Sequence, residues 1–201
     1  MATSIMATSI IRRARNSRRR KPAESGVSLL EVVISMAILT VGMVSMLGVF
    51  GLAMAATQTS QQDIIAKQLA NESYESIITA RNTTQITWTM LQNVSNGGIF
   101  IDGARPIYNA GADGIYGTAD DAVAGEQTLQ DPGADGIYQT VDDVLIPLTG
   151  YQRTILISPV LDASGNVVPT LRSVTITVQY STPQVKTGKT YILNSFISQY
   201  S

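Results

Sequence analysis

Lys21-Pro22-Ala23-Glu24-Ser25-Gly26-Val27-Ser28-Leu29-Leu30-Glu31-Val32-Val33-Ile34 decides how the rest of the chain is read. A basic stretch ends at Lys21, a small residue stands at Gly26, and an apolar run opens at Val27 with an acid, Glu31, at its fifth position. Glu31 is the only charged residue in 27–57. About 20 apolar residues cross a bilayer as a helix, so residues 32–56 are long enough. Gly42, Gly48 and Gly51 lie inside the run; they would weaken a helix in water, but Gly is common in membrane helices.

Charge sits asymmetrically around this junction. Residues 1–26 hold seven basic side chains (Arg12, Arg13, Arg15, Arg18, Arg19, Arg20 and Lys21) against one acid, Glu24. The rest of the chain carries 7 basic and 14 acidic residues, so the net charge of −1 conceals a cationic head and an anionic body. Lys and Arg before an apolar run stay on the cytoplasmic side. A nucleic-acid-binding arm is the competing reading of such a head; the apolar run so soon after Lys21 argues against it, and no nucleic-acid partner is expected. The charged fraction is 14%, against about 25% in ordinary soluble domains.

There is no Cys and no His among the 201 residues. Thiol chemistry and disulfides are excluded, and the commonest general base and metal ligand is missing. A zinc site or serine–histidine hydrolysis is therefore not expected, and no Gly-x-Ser-x-Gly elbow or phosphate loop is present. Asp120–Asp121 and Asp142–Asp143 are adjacent acids, whose side chains diverge if the segment is extended. The sequence predicts a protein that is not an enzyme and requires no cofactor.

Beyond the apolar run, 58–80 turns amphipathic, with Ile64, Ile65, Leu69, Tyr74, Ile77 and Ile78 at three- and four-residue steps. One helix over 27–80 is predicted, about 80 Å long, lipid-compatible in its first half and packed on a soluble domain in its second. Residues 82–100 give no assignable pattern. Strands are predicted at 151–161, 171–180 and 190–200, with turns at 162–166 and 183–189. Val174, Ile176 and Val178 face one way and Thr175, Thr177 and Gln179 the other. This is an antiparallel meander with one buried face. The fold class is α+β, a long N-terminal helix on a small antiparallel sheet. The expected organisation is a leader over 1–26, a membrane or filament-core helix over 27–56, its amphipathic continuation over 57–81, and a β domain over 82–201 with an insertion at 106–145. The doubled Met-Ala-Thr-Ser-Ile at 1–5 and 6–10 leaves Met1 or Met6 as the start.

An ordinary secretory signal is cut after its apolar region. Here the small residue precedes that region, so a cut after Gly26 leaves the helix on the mature chain. A carboxylate in a lipid-facing helix costs a few kcal/mol without a partner. The cut supplies one, because the new amine on Val27 lies about one turn from Glu31 and the helix N-terminus favours an acid there. A neighbouring copy's amine can serve equally.

Gly26-Val27-Ser28-Leu29-Leu30-Glu31-Val32-Val33-Ile34 resembles the processing and methylation motif of type IV prepilins and pseudopilins. The resemblance implies that prepilin peptidase cuts after Gly26, that Val27 becomes the N-methylated first mature residue, and that Glu31 registers the subunit in a filament. It implies an inner-membrane protein with a cytoplasmic N-terminus that later enters a filament at the cell surface. The implied partners are the peptidase, other pilin subunits, the assembly machinery and membrane lipid. The first mature residue is Val where the family most often has Phe, and the leader is long for the short-leader class. The lack of Cys rules out the C-terminal disulfide of many major pilins, which points to a minor pilin or a pseudopilin. The strands around 153–157, 171–178 and 191–193 are similar to the sheet of PilV-like minor pilins, the type IV pilus modification proteins. The leading expectation is a structural minor pilin. A type II secretion pseudopilin and an anchored adhesin on a pilin stem are the alternatives.

Within the insertion, 109–121 and 131–143 match at a spacing of 22 residues, sharing Gly-Ala-Asp-Gly-Ile-Tyr and a closing Asp-Asp. Counted from Asp131, oxygen side chains fall at the first and fifth places, Gly at the sixth and Asp142 at the twelfth, which resembles an EF-hand loop. The third place is Gly133, and no helical flanks are evident. Asn109, Asp113, Asp120, Asp131, Asp135 and Asp142 are the candidate calcium ligands, with weaker binding expected in the first copy because Asn109 is neutral. Two other readings stay open: plain Gly/Asp turns presenting Tyr116 and Tyr138, and a partner-binding surface.

Overall fold

The computed structural model describes residues 26–181 and 188–200. Residues 1–25 of the expected leader, and 183–187 of the expected turn before the last strand, lie outside the described residues.

The chain divides into two compact units, Met1–Val49 and Phe50–Ser201. Helix α1 runs Leu29–Asn82. Its first turn closes on Ser28, whose carbonyl accepts the Glu31 amide at 2.9 Å and the Val32 amide at 3.2 Å. Helical residues of the first unit are exposed throughout. The few hydroxyls of the apolar run are satisfied internally: Ser35 donates to the Glu31 carbonyl, Thr40 to Ala37 and Ser45 to Val41, at 2.7–2.8 Å. That bonding lets a helix tolerate hydroxyls in an apolar medium. α1 is long and apolar enough to cross a membrane.

In the second unit the later turns of α1 bury Ala66, Leu69, Ala70, Ser73, Ile77 and Ala80. The amphipathic reading holds at Leu69 and Ile77 and is corrected at Ile64. Ile64 is 55% exposed, and Ile65, Tyr74 and Ile78 pack only at the margin of the core. The buried stripe is largely Ala and Ser, because small side chains let a helix lie close against its neighbours.

The main sheet has the order β1-β4-β5-β6, formed by β1 (Arg105–Pro106), β4 (Tyr151–Leu161), β5 (Val167–Tyr180) and β6 (Lys189–Ser198). Every pairing is antiparallel, with Ile155 opposite Ile176 and Ile176 opposite Leu193. Val174, Ile176 and Val178 are fully buried, as their alternation requires. The meander order and the Asp162 turn are as read from the sequence, but β5 begins at Val167 instead of 171 and β6 ends at Ser198 instead of 200; the Asp162 carboxylate accepts the Ser164 and Asn166 amides at 2.8 and 2.9 Å. The α+β architecture is therefore observed: an apolar N-terminal helix packed, through its later turns, on an antiparallel sheet.

Residues 82–100 contain a 3-10 turn at Val94–Asn96 and bury Ile86, Leu91 and Phe100. Asn93 is 1% exposed and works as a piece of sheet. Its side-chain oxygen accepts the Ile157 amide at 2.7 Å, and its nitrogen donates to the Ile155 carbonyl at 2.8 Å. Trp88 stacks under the Arg172 guanidinium, 4.4 Å from the ring centre, and donates to the Pro169 carbonyl.

Candidate functional site

At the junction, Gly26 is exposed, Val27 is 69% exposed, and Glu31 lies on an open face in the first turn of α1. Among the described residues an added Cβ at Gly26 would meet nothing within 4 Å, so their packing does not dictate glycine there. Residues 26–31 are exposed, and their one acid lies where the helix dipole favours negative charge.

The insertion builds two loops of one design. In the first copy the Asp113 carboxylate accepts the Ile115 amide at 2.8 Å, Asp120 accepts the Asp113 amide at 3.1 Å and Asp121 accepts the Gly117 amide at 2.6 Å. In the second, Asp135 accepts Ile137 at 2.8 Å, Asp142 accepts Asp135 at 3.3 Å and Asp143 accepts Gln139 at 2.6 Å. Thr118 donates to Asp120 at 2.6 Å, and Thr140 to Asp142 at 2.7 Å. These are carboxylates closing turns on nearby backbone amides. Glycine is required where they approach: a Cβ at Gly111 would lie 2.2 Å from the Asp120 carboxyl carbon, and one at Gly133 2.5 Å from the Asp142 carbonyl.

The copies differ in what surrounds them. Ile115 is 2% exposed. The Tyr116 amide donates to the Ser76 hydroxyl of α1 at 3.3 Å, and the Arg153 guanidinium lies 4.5 Å from the Tyr116 ring centre. The matching Ile137 and Tyr138 are each 61% exposed, and Val141 is fully exposed. The second copy caps the hairpin of β2 (Thr128–Asp131) and β3 (Val144–Pro147). Gly117, at φ 90°, packs so near Ile155 that a Cβ would stand 2.5 Å from its terminal methyl. Its counterpart is Gln139, which holds the left-handed conformation at φ 68° with its side chain exposed.

Of the candidate ligands, the fold gathers Asp113 and Asp120 and adds Asp121, which sequence reasoning had not included. Oxygens of these three lie within 4.8 Å of one another. The missed signal was position: Asp121 opens the short helix α2, Asp121–Ala124, so its carboxylate and that of Asp120 turn toward one loop instead of diverging as in an extended segment. Asn109 points elsewhere, its amide facing the Gly125 and Glu126 carbonyls at 3.5 and 3.4 Å. Asp131 accepts the Gly133 amide at 3.1 Å. Among the described residues no comparable group forms from Asp131, Asp135 and Asp142.

The electrostatics follow the geometry. The Thr118 hydroxyl and then the Asp113 amide hold Asp120 below the usual carboxylate range; Thr140 and the Asp135 amide do the same for Asp142. Burial raises Asp121, against the opposing pull of its amide donors and Arg153. Arg153 is 5% exposed, and burial lowers its pKa, with Asp121 the largest opposing charge.

Residues 21–47 match the family model of the prokaryotic N-terminal methylation motif. No curated protein and no solved structure matches the chain.

Proposed function

We propose that the chain is a minor pilin of a type IV pilus, cut after Gly26, N-methylated at Val27 and assembled through α1 with Glu31 as its register residue. The observation that carries this reading is the methylation motif at 21–47, set on an open junction that leads into a helix able to cross a membrane. A buried acid tolerates assembly only in the register that supplies its partner, since an unpaired charge in an apolar core is costly. No step of this role is catalytic. Expression with and without an active prepilin peptidase tests it. The expected product is a membrane-bound chain whose intact mass and first residue place an N-methyl group on Val27, and only when the peptidase is active. An uncut chain, or one cut after the apolar run, removes the reading.

The proposal includes calcium at the first repeat. Asp113, Asp120 and Asp121 offer only oxygens, which suits calcium and not a softer metal. Millimolar calcium is expected to raise the melting temperature of the full chain in detergent, and Asp120→Asn to abolish the rise. Melting indifferent to calcium leaves the loops as plain carboxylate-closed turns.

A further inference from the structure

Between Asn82 and Ile101 the chain carries no charged side chain, and in that stretch stands Trp88, its single tryptophan. Trp88 is half-buried. Its indole nitrogen donates to the Pro169 carbonyl at 3.1 Å, and the Arg172 guanidinium lies 4.4 Å from its ring centre. Arg172 Nη1 donates to the Trp88 and Leu91 carbonyls. The other guanidinium N–H groups make no hydrogen bond or ion pair among the described residues, and they are not sealed from solvent.

Trp88 and Arg172 line a hollow of about 520 Å³. Ile157, Pro159 and Leu171 give it an apolar wall, and Gln92, Asn96 and Gln199 bring side-chain amides. Asn96 and Gln199 are exposed, and their side-chain amides have no partner among the described residues. Gln92 donates to the Thr89 carbonyl at 3.3 Å, which leaves its side-chain oxygen to accept. No acidic side chain is among the lining residues. Trp88 and Gln199 also border a second hollow, of about 640 Å³ and again without an acidic side chain, so the recessed surface continues past the indole. Clefts of about 300–1,000 Å³ with an apolar wall and a few placed polar groups are what small ligands occupy.

The side chains present narrow the chemistry. An amide offers a donor and an acceptor on neighbouring atoms, and each hydroxyl of a sugar does the same. The C–H face of a sugar ring packs on an aromatic ring, as apolar surface does. A guanidinium with spare N–H groups and no acid beside it suits a carboxylate. A simple aliphatic acid would use the arginine and none of the amides. We propose that the hollow beside Trp88 binds an acidic saccharide, with its carboxylate on Arg172, a ring against the open part of the indole and hydroxyls on Gln92, Asn96 and Gln199. This role goes beyond processing and filament assembly and stands on the folded domain alone.

Because Trp88 is the single tryptophan, its fluorescence reports this place and no other. The full chain, in a detergent without a sugar headgroup, is titrated with tetragalacturonate, with maltotetraose and with acetate. Tetragalacturonate is expected to give a saturable change at millimolar concentration. Maltotetraose should bind about tenfold more weakly or worse, as loss of a charge-assisted hydrogen bond requires, and acetate should give no saturable change. Asn96→Ala and Gln199→Ala remove exposed amides that hold nothing else in place. Each is expected to raise the apparent Kd about threefold to tenfold with the melting temperature unchanged. Fluorescence indifferent to tetragalacturonate overturns the proposal. So does maltotetraose or acetate matching it, or binding that neither amide variant weakens. The intact mass of the same sample reports the cut after Gly26 separately, so failure of the saccharide site and failure of the pilin reading are told apart.

Discussion

Asn93 shows how much one side chain supplies. Its amide completes the hydrogen bonding of two β4 backbone groups, the Ile155 carbonyl and the Ile157 amide, in a place sealed from water. Asn93→Leu keeps the approximate volume and removes both bonds. Each buried backbone group left unmet costs about 1–3 kcal/mol, so a loss of about 3 kcal/mol is expected in urea denaturation of the full chain in detergent. A loss below about 0.5 kcal/mol would mean that the strand relaxes to find other partners. Residues 82–100 were illegible in the sequence for a related reason. Their structure rests on irregular backbone turn bonds, such as the Val94 amide on the Phe100 carbonyl at 2.8 Å, together with single side-chain bonds such as those of Asn93, and neither kind has a period. The motif at 21–47 was legible because its meaning lies in spacing along the chain.

Among the elements, the β4–β5–β6 meander was the easiest to read, since one buried face imposes a period of two on Val174, Ile176 and Val178. The buried face of α1 was harder. Hydrophobicity picks out Leu69 and Ile77, which are buried, but also Ile64 and Ile78, and it passes over Ala66, Ala70, Ser73 and Ala80, which make up the rest of the buried stripe. Such a stripe is selected for size, and size is invisible to an apolar count. Ala70 is fully buried in the core, so Ala70→Leu forces extra carbons into a filled site. Overpacking of this kind costs about 1–3 kcal/mol, and a drop of that size in the thermal or urea midpoint is expected, with the helical circular dichroism retained. An unchanged midpoint would show that the stripe has slack. The hairpin loop was read correctly as a repeat, but whether either copy packs on the domain depends on long-range neighbours that local sequence does not contain.

For the molecule as a whole, Asp63 ties the helix to the end of the sheet. Its carboxylate accepts the Tyr180 hydroxyl at 2.6 Å and pairs with Lys189 at 2.9 Å, and Tyr180 stacks on Tyr151 at 5.5 Å. The Tyr180 hydrogen bond, then Lys189, hold Asp63 below its ordinary value of 3.8. A depressed carboxylate stabilises the fold above its unfolded pKa, and that stability is lost as pH falls through the folded value. Acidification below about pH 4 should therefore lower the melting temperature, with Asp120, Asp142 and Asp162 acting in the same direction. Asp63→Asn should lower it at pH 7 and flatten its fall in acid; a parallel fall in variant and parent would remove Asp63 from the account. The pairing of Asp63 with Lys189 across 126 residues was not legible, since nothing local to either residue names the other. The two repeat loops have a further consequence. They hold matching hydrogen bonds, but one is packed against the domain and the other stands in water. The protein thus contains its own control: a difference in amide exchange between the copies reports the contribution of tertiary packing, with local geometry held nearly constant.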